Sequence, residues 1–206
     1  MKLIFAPPSP DDLIRLLKAW RFWLLGALLG AFIGAAVYYI APPPYRAQAT
    51  VNVDFHLEQA WPQNTDREQF YYLERETRKL EEIAVSDTVL NAVTAQVSGT
   101  TVLQLRDQKL QLSQPGNGGW HFFADDRDPQ RAGALASAWA LVFAQNVQVQ
   151  VANPASGLEQ YITAAPTQVQ GLTAHRSVSL SIYLLGGAVV FLALSVLVLL
   201  FFDFKA

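Results

Sequence analysis

Hydrophobic and polar positions are unevenly distributed along the chain. No Asp, Glu, Lys or Arg occurs in residues 22–45 or 177–202, whereas the stretch between them holds ten Lys/Arg and fourteen Asp/Glu. The first apolar block, residues 22–40, would extend roughly 28 Å as a helix, close to the hydrocarbon thickness of a bilayer. The second, residues 178–202, is longer and crosses with some tilt. Both are predicted transmembrane helices. The alternative for the first block, a secretory signal, conflicts with its long apolar run. It also lacks a small-residue cleavage pattern, because the chain continues Ala41-Pro42-Pro43-Pro44.

Between the blocks the apolar spacing changes repeatedly. Residues 45–55 alternate in part and are rich in Thr, Val and Phe, which predicts a strand. Thr65-Asp66-Arg67-Glu68 has the form of a capping box, and Phe70, Leu73, Leu80 and Ala84 are expected to mark the apolar face of the charged helix that follows. Ser86-Asp87-Thr88 starts another helix carrying Val89, Leu90, Val93 and Val97, ended by Ser98-Gly99. Residues 109–114 and 120–124 flank Pro115-Gly116-Asn117-Gly118-Gly119 and predict a hairpin. Asp128-Pro129 caps a helix with Ala132, Leu135, Ala136, Trp139, Val142, Phe143 and Val147 on one face. Residues 153–157 break it, and residues 158–163 are expected to form a last strand. The order is β, α, α, β, β, α, β. It predicts an α+β fold, with helices on one face of a small sheet. The expected organisation is a lead-in over 1–21, spans over 22–40 and 178–202, an extracytoplasmic domain over 41–177 and a tail over 203–206.

Charge sets the expected orientation. Lys2, Arg15, Lys18, Arg21 and Lys205 lie on the terminal sides of the two blocks, against Arg46 and Arg176 on the loop side, which predicts cytoplasmic termini. Ser9-Pro10-Asp11-Asp12 resembles a helix start, and Leu13, Leu16, Leu17 and Trp20 follow at helical spacing, as in a helix lying on the bilayer. Trp20, Trp23, Tyr38 and Tyr39 suit the headgroup layer. Gly26, Gly30 and Gly34 recur every four residues beside Ala27, Ala31 and Ala35, a strip that lets a second helix approach closely. Its partner is either the second block, through Gly186, Gly187 and Ala188, or a neighbouring subunit. The net acidic middle offers no basic face for nucleic acid.

Candidate chemistry is sparse. The chain has no cysteine, so it forms no disulfide and carries no thiolate. His56, His121 and His175 lack metal-ligand spacing. Asp125, Asp126 and Asp128 depart from a calcium-loop pattern, and their better reading is a hairpin end followed by a helix cap. The glycines at 116, 118 and 119 lack the lysine of a phosphate loop and read as a turn. No catalytic residue, cofactor site or metal site is expected.

Taken together, these residues resemble the polysaccharide chain-length determinants, or polysaccharide co-polymerases of the Wzz type. Asp12-Leu13-Ile14-Arg15-Leu16-Leu17 is similar to the family's cytoplasmic lead-in, and Pro43-Pro44-Tyr45-Arg46-Ala47-Gln48-Ala49-Thr50-Val51 to its first strand after the membrane. Residues 81–97, around Ser86-Asp87-Thr88-Val89-Leu90, resemble its next helical segment. Asp126-Arg127-Asp128-Pro129-Gln130-Arg131-Ala132, with Ala136 and Ala140, resembles its strand-to-helix junction, the most specific of these matches. Ala165-Pro166 resembles the start of its proline-rich approach to the second span, although the later prolines are missing. The resemblance implies a non-enzymatic inner-membrane protein with a periplasmic domain. It implies a homo-oligomer that contacts a polysaccharide polymerase or export machinery and influences polymer length. Typical members carry a long helical excursion where this chain has only residues 153–157. Short members pair with a cytoplasmic tyrosine kinase, but only residues 203–206 follow the second span, and a kinase-activating tail is not expected. The competing expectation is a scaffold subunit of another membrane complex built on the same domain.

Overall fold

A computed structural model describes residue 14 and residues 17–60, 66–114 and 119–201. The expected cap at Ser9 to Asp12, most of the lead-in, Thr65 of the capping box, the turn at 115–118 and the tail lie outside the described residues. The chain divides into two compact units, one formed by residues 1–43 with 178–206 and the other by Pro44–Ser177.

The first unit is a pair of apolar helices, α1 (Trp20–Ile40) and, at the other end of the chain, a helix over Leu180–Phe201. Among the described residues these two are long and apolar enough to cross a membrane. Many of their large apolar side chains are exposed, among them Leu25, Leu28, Phe32, Ile182, Leu185 and Val189.

The second unit is α+β, a mixed helix and sheet domain. In chain order it contains β1 (Tyr45–Asp54), α2 (Leu57–Ala60), α3 (Asp66–Ala84), α4 (Asp87–Gln96) and α5 (Val102–Gln104). The last of these runs into a wider π-helical turn over Leu105–Lys109. Then come β2 (Leu110–Ser113), β3 (Gly119–Asp126), α6 (Pro129–Val151), a 3-10 turn at Pro154–Ser156, β4 (Thr163–Gln168) and β5 (His175–Arg176). The Leu180–Phe201 helix is α7. The strands form one antiparallel sheet in the order β2-β3-β1-β4, and β5 pairs with the start of β1.

Alternation places Ala47, Ala49, Val51 and Val53 of β1 and Trp120, Phe122 and Ala124 of β3 on the buried face of the sheet. Helix α6 lies against that face, and α3 and α4 pack on α6. All seven apolar positions expected on α6 are buried. Phe122 meets the Trp139 ring edge-on at 4.8 Å, Trp120 stacks on Phe143 at 5.6 Å, and the Trp139 indole donates to the Ala84 carbonyl at 2.7 Å. That hydrogen bond satisfies the indole N–H and one carbonyl at the C-terminal end of α3, so the aromatic cluster buries no orphan donor.

Two expectations are corrected. The last strand is not over residues 158–163 but at β4, Thr163–Gln168. Leu158 and Ile162 are buried from a turn, and the chain pairs with β1 only beyond them. On α3 the buried positions are Tyr72, Glu76, Leu80, Ile83 and Ala84, whereas Phe70 is 62% exposed. The helix is rotated relative to the face expected from Phe70 and Leu73, and a carboxylate lies in its buried stripe.

Candidate functional site

Two places bring together residues singled out in the sequence, and a third gathers charged residues around a buried acid. The first is the junction between β3 and α6. Here three neighbouring aspartates point to three different partners. The Asp125 carboxylate, on the open sheet face, accepts two 2.7 Å hydrogen bonds from the Arg46 guanidinium. Asp126, at the end of the alternating stripe, points inward and is 8% exposed. It accepts from Lys109 Nζ through Oδ2 and from the Asp128 backbone N–H at 3.1 Å through Oδ1, with Arg131 Nε 3.8 Å away. The Asp128 side chain caps α6, accepting from the Gln130 N–H at 3.0 Å. Pro129 occupies the first turn, where its missing N–H has no cost, and Ala132 is fully buried.

Burial alone would raise the Asp126 pKa. The Lys109 and Asp128 hydrogen bonds and the Lys109 and Arg131 charges outweigh it, so the carboxyl is held below its ordinary value. Arg131 extends the junction. Its guanidinium donates to the Ser98 carbonyl at 2.7 Å and fills the space beside Gly99, which has φ +83° and no Cβ. The motif joins β3, α6, the π-helical turn and the end of α4.

The second place is the glycine strip. Gly26, Gly30 and Gly34 of α1 face α7 of the same chain. A Cβ at Gly30 would overlap the Gly187 carbonyl, one at Gly34 the Tyr183 carbonyl, and one at Gly26 the Ser195 side chain. Gly187 reciprocates against the Gly30 carbonyl, while nothing lies within 4 Å of a Cβ at Gly186. Tyr38 and Tyr183 close the pair at one end, with ring centres 5.4 Å apart. Backbones this close replace side-chain contacts with main-chain packing.

The third place was not anticipated from the sequence. Glu76 is fully buried, and its Oε1 accepts from Arg75 Nε at 2.7 Å and from Lys79 Nζ at 2.8 Å, while Oε2 has no hydrogen bond among the described residues. Lys79 also donates to the Gly157 carbonyl, and Arg75 reaches Glu159 at 3.3 Å. These links fasten α3 to the break after α6, where Gly157 adopts φ +74°. Neighbouring Tyr72 has its phenol pushed up to about 12, first by burial and then by the charges of Glu159 and Glu76. The only sequence signal was a glutamate at helical spacing between apolar residues, which reads equally well as a solvated face.

The remaining candidates are dispersed. Pro166 lies in edge strand β4, paired with Val51 beside a bulge, a position where a missing N–H is tolerated. His56 lies two residues beyond β1 at φ +42°, His121 lies beside Gln48 and Thr50 on the open sheet face, and His175 is in β5. Among the described residues no group of three or more His, Asp or Glu is placed to hold a metal ion. No protein-family model and no curated protein matches this chain, so the junction, the glycine strip and the buried acid stand on their own geometry.

Proposed function

We propose that the chain is a non-enzymatic, co-polymerase-like protein of a bacterial inner membrane. It assists or regulates the length or export of a surface polysaccharide by assembling with copies of itself around the polymerising or exporting machinery. In this reading α1 and α7 span the bilayer, the termini are cytoplasmic and the Pro44–Ser177 domain is periplasmic. The observation that carries the proposal is the Asp126-Asp128-Pro129-Ala132 junction in a domain flanked by two apolar helices. The junction has the family-like spacing, and its Asp126 and Asp128 carboxylates accept backbone N–H bonds at the start of α6. The ends of the domain are adjacent, as a protein held between two spans requires: the Ser177 N–H donates to the Pro44 carbonyl at 2.9 Å, and β5 pairs with Tyr45 and Arg46. Lys18 and Arg21 before the first span, against Arg46 after it, support the orientation.

One observation favours a second reading, a scaffold subunit of another membrane complex. The segment between α6 and β4 holds only the short turn at Pro154–Ser156 and the stretch leading to Thr163, with no helical excursion. The two readings separate in one experiment. The protein, extracted at native abundance into nanodiscs, is weighed by native mass spectrometry, and the surface polysaccharide of the deletion strain is sized on gels. A homo-oligomer together with an altered polymer length distribution supports the first reading. A single copy in fixed ratio with unrelated subunits, with the polymer unchanged, replaces it by the second.

A further inference from the structure

We infer that the groove between α3 and the end of β2 is a docking surface for a protein partner presenting an apolar side chain flanked by Lys or Arg. Two hollows, of about 600 and 340 Å³, share Arg78 and Glu81; the first lies between α3 and the end of β2, and the second adjoins it along α3. Leu73 and Val85 of the α3 side and Leu112 of β2 supply its apolar floor. Phe70, in the same lining, is 62% exposed, and its neighbour Tyr71, 55% exposed, touches it edge-on with ring centres 6.1 Å apart. Large exposed aromatics on an otherwise strongly charged helix are the kind of anchor that protein interfaces bury.

The rim decides the partner's charge. Among the described residues four ionised side chains line the groove, Glu74, Arg78, Glu81 and Glu82, three acids against one base. Arg78 is already engaged with Glu74 at 3.2 Å. Glu81 accepts from the neutral Gln114 amide at 2.7 Å, and Glu82 has no cation partner among the described residues. Two carboxylates are thus left beside an apolar floor. That combination repels phosphate headgroups and acidic polymers and favours a cationic segment with an apolar anchor. The groove also lies at the outer strand of the sheet, because β2 ends the strand order.

This inference goes beyond the polysaccharide reading and does not depend on it, so each can fail alone. The test uses the full chain in zwitterionic nanodiscs and two fluorescent decapeptides that differ only in charge, one of lysine, alanine and two phenylalanines, the other with glutamate for lysine. Anisotropy is expected to show saturable binding of the lysine peptide and at least about tenfold weaker binding of the glutamate peptide. The exposed double variant Glu81→Lys/Glu82→Lys should reverse that preference, and Phe70→Ala should weaken binding while leaving the melting temperature unchanged. Equal affinity for both peptides overturns the inference, as does binding no stronger than to empty nanodiscs. Indifference to the charge reversal also overturns it. So does a changed oligomer mass in the double variant without peptide binding, which would mean that a second copy occupies the groove.

Discussion

At the scale of single residues, the domain holds two buried carboxylates whose removal is expected to have different effects. Asp126 has a folded pKa below its unfolded value, so it stabilises the fold above the unfolded value, and that stabilisation disappears as pH falls through the folded one. Acid should therefore cost stability below about pH 4. In Asp126→Asn the denaturation midpoint should be lower at pH 7, with a weaker loss between pH 5 and pH 3 than in the wild type. Glu76 is buried more deeply than Asp126. The buried member is the acid, while its partners Arg75 and Lys79 keep 55% and 34% of their side-chain surface in water. Removing Glu76 frees cations that can rehydrate, so Glu76→Met is expected to be neutral within about 1 kcal/mol or stabilising. Lys79→Met leaves the carboxylate with Arg75 alone and drops the bond to Gly157, for a loss of about 1–3 kcal/mol in denaturant unfolding. Asp128 and Pro129 were legible in the sequence because a helix start needs an acceptor and tolerates proline there. Glu76 was not, because helical spacing alone cannot separate a buried, paired acid from a solvated one.

At the scale of elements, legibility followed how much each segment depends on its own residues. Helix α6 carries an uninterrupted apolar face, and all of its expected positions are buried. On α3 the aromatic Phe70 and the leucine Leu73 drew the face towards themselves, although the helix turns Tyr72 and Leu80 inward. Strand β4, Thr-Ala-Ala-Pro-Thr-Gln, is mostly exposed and owes its form to the β1 edge beside it, so its own composition carried little signal. The π-helical turn before β2 leaves no pattern that hydrophobic spacing can reveal. The glycine strip makes an element-scale prediction. Gly30→Ile should force α1 from α7, since the added atoms meet the Gly187 carbonyl and the Phe191 side chain rather than a movable tip. Ala31→Ile, one residue along the same helix, is the control. Thermal unfolding in detergent should show a clear drop for the first and a much smaller change for the second.

At the scale of the whole molecule, the described domain closes on itself. Its core residues come from Pro44–Ser177, and its first and last residues are hydrogen-bonded to each other. A fragment of residues 44–177 is therefore expected to fold alone, with one cooperative thermal transition and native near-ultraviolet circular dichroism. A molten fragment would mean that the core borrows support from the helical unit. The adjacent ends also have a mechanical consequence. Tension that separates the two connections loads the Ser177–Pro44 bond and the two pairs of β5 one after another, as in an opening zipper. The longer β1–β3 ladder, from Tyr45–Asp126 to Asn52–Gly119, comes under load only afterwards. Under pull, the domain should first yield a short length of slack at β5 at low force, and the folded body should persist as its connections lengthen.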